Sequence, residues 1–133
     1  MVKMRAESPR MEKYEKDTLQ YELFPAGFFV YAFDESGKLE TEIVADNARK
    51  ILRENPDKKI LSISQNDNPY SCQCEKCLKS DEEEGSAVGT LIKFVNQVAE
   101  MLEPEFPDVT FDILAYHYTR PASKKTQTRH NVC

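Results

Sequence analysis

The sequence predicts an α/β fold, a β-α-β-α-β chain with parallel strands, and three observations carry that prediction. Short apolar runs rich in β-branched and aromatic residues alternate with longer stretches whose apolar residues recur every three or four positions. The returns from each helix to the next strand are brief and marked by proline. Strands joined through helices take right-handed crossovers, which makes them parallel neighbours in one sheet.

The first strand is expected at Ala26–Phe33 (AGFFVYAF), between Pro25 and the turn residues Asp34-Glu35-Ser36-Gly37. Met1–Glu22 is charge-rich and takes no assignment. Residues 1–41 therefore stand as an atypical N-terminal segment with one strand, and 42–133 as the domain proper. Thr41 is placed to cap a helix opening at Glu42, whose carboxylate suits the positive end of the helix dipole. Val44, Ala48, Ile51 and Leu52 share one face of that helix, and Pro56 ends it.

Lys59–Ser64 (KILSIS) reads as a short buried strand. A long helix then opens at Ser86, with Val88, Leu91, Ile92, Val95, Ala99 and Leu102 as its buried stripe and Pro104 and Pro107 closing it. Val109–Tyr118 is the third strand, with Phe111, Ile113 and Ala115 on one face and Leu114, Tyr116 and Tyr118 on the other. Asn131-Val132-Cys133 looks like the start of a further strand cut short. Three strands make a thin sheet with bare edges, so the chain reads as a fragment truncated at its C-terminus, open to self-association along those edges.

A length of 133 residues allows one core, and the clustering of the 40% apolar residues speaks against disorder. The net charge of −5 argues against nucleic acid, which needs a basic excess or stripe. Arg120, Lys124, Lys125 and Arg129 form the one basic cluster, and it reads as a solvated loop. No apolar run approaches the roughly 18 residues of a membrane span. Met1–Asp17 lacks the apolar core of a signal peptide, which places the chain as written in the cytoplasm; a signal on a longer protein would export it.

The chemistry is expected on the connection Gln65–Gly85, far longer than the roughly 2–6 residues usual in α/β units. It leaves the carboxyl end of a strand, the edge where parallel folds place ligands. Gln65-Asn66-Asp67-Asn68 can hydrogen-bond a polyhydroxylated ligand, with Asp67 as base or charge stabiliser, or can simply turn the chain. Cys72, Cys74 and Cys77 form a C-x-C-x-x-C pattern suited to zinc, with reduced thiols or a disulfide as the alternatives. His117, His130 and Cys133 are the candidates for a fourth ligand. Thioredoxin-like exchange is disfavoured, because Cys74-Glu75-Lys76-Cys77 sits well ahead of the Ser86 helix. Asp81–Glu84 reads as a solvated acidic run complementing that helix's dipole. Tyr116 and His117 end the third strand on the same edge, where Tyr116 suits stacking on a sugar and His117 can bind a substrate hydroxyl.

At these residues the chain resembles a bacterial domain of unknown function, the 4838 family, found in large carbohydrate-associated proteins. The resemblance runs through Ser62-Ile63-Ser64-Gln65-Asn66-Asp67-Asn68, Cys72-x-Cys74-x-x-Cys77, Glu84-Gly85-Ser86 and Gly89-Thr90-Leu91. It continues through Phe94-Val95-Asn96, Val98-Ala99, Phe106-Pro107-Asp108-Val109, Ala115-Tyr116 and Asn131-Val132, and spans about Glu42–Cys133. It implies part of a (β/α)8 TIM-like barrel, related in architecture to glycoside hydrolases and acting on complex glycans. By position it puts Asn66 and Asp67 at the barrel mouth and Tyr116 on the next strand end. A non-catalytic glycan-binding or structural module with a cysteine-rich loop is the alternative.

Overall fold

The computed structural model describes residues 40–64 and 71–133. The expected strand Ala26–Phe33 and the quartet Gln65-Asn66-Asp67-Asn68 lie outside those residues. The described elements are helix α1 (Glu40–Glu54), strand β1 (Ile60–Ser62), helix α2 (Glu75–Glu84), helix α3 (Ala87–Leu102), strand β2 (Thr110–Asp112) and a 3-10 turn (His117–Thr119).

The strands β1 and β2 are parallel, with Ile60 opposite Thr110, Leu61 opposite Phe111 and Ser62 opposite Asp112. Val132 adds a parallel bridge on the far side of β2. It is held by Phe111 N–H donating to Asn131 O (2.9 Å), Cys133 N–H to Phe111 O (3.0 Å) and Ile113 N–H to Cys133 O (2.8 Å). Val132 thus extends the parallel pairing by one bridge on that side of β2. Helices and parallel strands in this order make an α/β fold.

Helix α1 buries Val44, Ala45, Ala48, Ile51 and Leu52, the stripe its spacing predicts. It starts slightly earlier than expected, so Thr41 lies inside it and is buried instead of serving as its cap. Asn55 ends it, both its backbone N–H and its side-chain amide donating to Ile51 O (3.0 and 2.8 Å). Helix α3 turns Leu91, Phe94, Val95, Val98, Ala99 and Leu102 inward. These side chains meet Leu61, Ile63, Phe111 and Val132 in one apolar core. Phe94 and Phe111, 1% and 0% exposed, are its largest members, and truncating either to alanine costs about 3–5 kcal/mol. Ile92, expected on the stripe, sits at its margin and is only partly buried.

Four expectations need correction. The long connection after β1 is not all loop, because residues 75–84 form α2. Its buried residues are Cys77, Ser80 and Glu84, a stripe at helical spacing made of polar atoms, so hydropathy could not mark it. Asp81–Glu84 therefore does not precede a helix as a solvated run; it lies within α2, and Glu84 is 1% exposed. The third strand is shorter than Val109–Tyr118. Its pairing stops near Ile113, Ala115 is exposed, and His117 turns the chain with φ 52°. Within the basic cluster, Arg129 is held at half-burial by Glu103 (2.6 Å) and Glu100 (3.6 Å) and is not simply solvated.

Two backbone devices fix the corner between α2 and α3. Gly85 closes α2 in the left-handed region (φ 70°), which glycine enters without a Cβ penalty. Ser86 follows in extended conformation, accepts the Val88 N–H (3.2 Å) as the cap of α3, and donates to Pro121 O (2.5 Å).

Candidate functional site

The turn into α2 gathers the three thiols. Cys74 is the helix N-cap, and its sulfur accepts the Cys77 N–H at 3.4 Å. That amide-to-sulfur bond is the local geometry a C-x-x-C knuckle uses around a metal. Cys72 lies two residues earlier, outside any helix or strand, and the sulfurs of Cys72, Cys74 and Cys77 all lie within 4.8 Å of one another. All three are free thiols. Zinc–sulfur bonds of about 2.3 Å in a tetrahedron set sulfurs roughly 3.8 Å apart, so a small contraction would close the set on an ion. The donors therefore fit a thiophilic metal.

The protons in the cluster are unevenly shared. The Cys77 thiol donates toward Cys72 and holds it below the ordinary thiol range, helped by the backbone at Cys74. The same contact, with burial, pushes Cys77 well above that range. The position of Cys74 also corrects an expectation: the C-x-x-C stands at a helix N-terminus after all, that of α2, whose positive dipole end favours a thiolate.

Behind the thiols, α2 and α3 are joined by a polar core. Thr90 donates to Asp81 (2.5 Å) and its hydroxyl lies 2.9 Å from that of Ser80; Lys93 reaches Ser80 at 3.2 Å. Burial pushes the Asp81 carboxyl up, against the pull of Thr90 and Lys93. Glu84 pairs with Lys93 (2.8 Å) and accepts from Ser123 Oγ (2.7 Å), Thr126 N–H (2.9 Å) and Thr126 Oγ1 (2.6 Å). These donors hold its carboxyl far below the usual carboxylate range. A Cβ on Gly89 would collide with the Glu84 side chain, so the helices approach closely here only because residue 89 has none.

On the strand side, parallel pairing puts the ends of β1 and β2 at the same edge. Ser64 there accepts the Leu114 N–H (3.0 Å). Tyr116 follows, its ring centroid 4.8 Å from that of His117 at a tilt of 44°. Thr119 clamps this turn by accepting the Tyr116 N–H (3.0 Å) and donating to Tyr116 O (2.8 Å). Tyr118 lies within electrostatic reach of Cys72 and Asp81; burial first, then those neighbours and Tyr116, pushes its phenol up to about 12.

Of the residues singled out in the sequence, Cys72, Cys74 and Cys77 come together, and Tyr116 and His117 lie at the carboxyl edge. Gln65, Asn66 and Asp67 lie outside the described residues. Among the described residues none of the expected fourth ligands joins the thiols. His130 sits on Glu103 (2.7 Å), and the backbone of Cys133 is paired with β2. Sequence reading missed Ser80, Asp81, Glu84 and Tyr118 as a connected set. The 77–80–84 spacing was their only signal.

The motifs found here, from Cys72 through the Glu84 corner to Val132, fall within one family model. The family described as Domain of unknown function (DUF4838) matches residues 35–133, about three quarters of the chain. Neither a curated protein nor a solved structure matches it. With its α/β order and its cysteine turn inside the matched span, the chain belongs to the DUF4838 family.

Proposed function

We propose that this chain is the metal-stapled rim of a glycan-handling α/β protein, with Cys72, Cys74 and Cys77 holding a zinc ion that fixes the start of α2. The observation that carries the metal is the convergence of three free sulfurs within 4.8 Å. Bound zinc would supply a closed-shell cation tying the β1–α2 connection to the helix, with a fourth donor completing the tetrahedron. The residues of this chain do the rest. Cys74 caps the helix and Cys77 anchors the staple in the core.

The glycan part of the reading is supported by what shares the carboxyl edge. Tyr116 and His117 follow β2 there; Gln65, Asn66 and Asp67 come next after Ser64 in the sequence. An aromatic face suits the C–H groups of a sugar ring, and amide and carboxylate side chains suit its hydroxyls. A second reading, favoured by the parallel strands and the carboxylate after β1, is a glycoside hydrolase built on a (β/α)8 barrel. Asp67 then acts as acid/base or charge stabiliser.

Elemental analysis of purified protein tests the metal: one zinc per chain, lost in Cys74→Ser, is expected. Absence of zinc binding in competition with a chromophoric chelator would remove the staple. Turnover of aryl glycosides, abolished in Asp67→Asn, separates the hydrolase from a binding module. Equal turnover by the variant takes Asp67 off the catalytic list.

A further inference from the structure

The backbone from Cys74 to Cys77 is one closed helical turn, with the Leu78 N–H donating to Cys74 O at 3.0 Å. Helix geometry sets Cα atoms three residues apart at about 5 Å, inside the roughly 4.4–6.8 Å that a disulfide spans. The cap conformation of Cys74 (φ −69°, ψ 151°) folds its side chain back over that turn, where Sγ accepts the Cys77 N–H at 3.4 Å. The Cys77 Cβ is bonded to the same Cα as that nitrogen, and the two sulfurs already lie within 4.8 Å. Turning the Cys77 side chain is therefore the main motion that a bond between them needs. Cys72 has no such helical tether to Cys77, because it lies outside any helix or strand. Access is graded as well. Cys74 is half-buried and Cys77 only 2% exposed, so a reagent from solvent meets Cys74 first.

We propose that Cys74 and Cys77 are a redox-active dithiol, which a peroxide closes to a disulfide and so strips the metal from the cluster; this rests on the zinc reading above and names what regulates that site. In the first step the Cys74 sulfur attacks one peroxide oxygen, the O–O bond breaks, and one water leaves behind a sulfenic acid. The Cys77 sulfur then displaces that oxygen as a second water, and the S–S bond forms. Two electrons pass from the two sulfurs to the peroxide, and the two thiol protons end in the waters. The thiolate is the form that ligates metal, so the linked pair lets go of the ion. Cys72 then stands as the one thiolate of the three, too few to hold zinc in a tetrahedron. A dithiol reductant reopens the bond and restores the donor set.

The test uses the full chain carrying Cys133→Ser, so that the exposed fourth thiol takes no part. The zinc-loaded protein is titrated with hydrogen peroxide. A chromophoric chelator reports released metal, and peptide mass spectrometry after alkylation maps the linkage. One zinc freed per disulfide formed, a bond between Cys74 and Cys77, and renewed zinc binding after dithiothreitol are expected. Cys72→Ser should keep that linkage, whereas Cys74→Ser should lose it. Both positions are half-buried and serine also caps a helix, so an unchanged melt of the metal-free variants is the check on their fold. Oxidation that stops at a sulfinic acid on Cys74, or that links Cys72 to Cys77 instead, overturns the pair. Zinc retained by the linked chain overturns the displacement. A chain that holds no zinc at the outset overturns the metal reading and the displacement with it, and the linkage mapped in that same sample still decides the dithiol.

Discussion

The corner at Glu84 and the turn at Cys72–Cys77 are both polar clusters at the ends of α2, yet they differ in kind. At Glu84 one carboxylate meets an ammonium, two hydroxyls and an amide, so donors and acceptor cancel inside the chain. At the thiols three like atoms converge within 4.8 Å of one another, a donor set of one kind. A self-satisfied cluster is architecture; a cluster of one atom type asks for a ligand.

The largest expected effect breaks the first side of this comparison. Glu84→Ala removes the acceptor that Lys93, Ser123 and Thr126 share and should cost about 3–5 kcal/mol in urea unfolding, as for a buried pair losing one member. A cost below about 1 kcal/mol would mean the corner is solvated. The same carboxyl predicts acid sensitivity. It is held below its unfolded value, so its stabilisation is complete above about pH 4.3 and is lost as the pH falls from there toward the folded value. Melts between pH 5 and 2 should show this loss, and Glu84→Gln should flatten that limb.

Removing metal comes next. At zinc a hundredfold above its dissociation constant, linkage adds about 2.7 kcal/mol, which a chelator should erase in the native protein and leave unchanged in Cys74→Ser. Indifference of both to zinc and chelator would make the thiols a packing feature. The smallest effect sharpens the boundary between the two regions. Ser86→Ala loses the cap of α3 and its tie to Pro121, at about 1 kcal/mol by thermal melting, with zinc stoichiometry intact. Loss of zinc in that variant would show that the corner and the thiol turn are one unit.

Much of the fold was legible because apolar periodicity reports it. Val44, Ala48, Ile51 and Leu52 on α1, and Leu91, Val95, Ala99 and Leu102 on α3, are buried as their spacing requires. Helix α2 was illegible for the complementary reason, since its inward residues are a thiol, a hydroxyl and a carboxylate. The end of β2 was misjudged because its aromatic residues favour a strand, whereas Thr119 ties the backbone at Tyr116 into a turn. The cysteine spacing anticipated that three thiols would cluster. Their position at the head of a helix followed only once α2 was seen.

Residues 84 and 89 occupy, in effect, a single parcel of space: the carboxylate's stem fills what a methyl group at 89 would need. Neither position can drift alone. Gly89→Ala by itself should force the helices apart and draw the carboxylate off its donors, and because the nearest atom is the Glu84 Cβ itself, only glycine at 84 would clear the space.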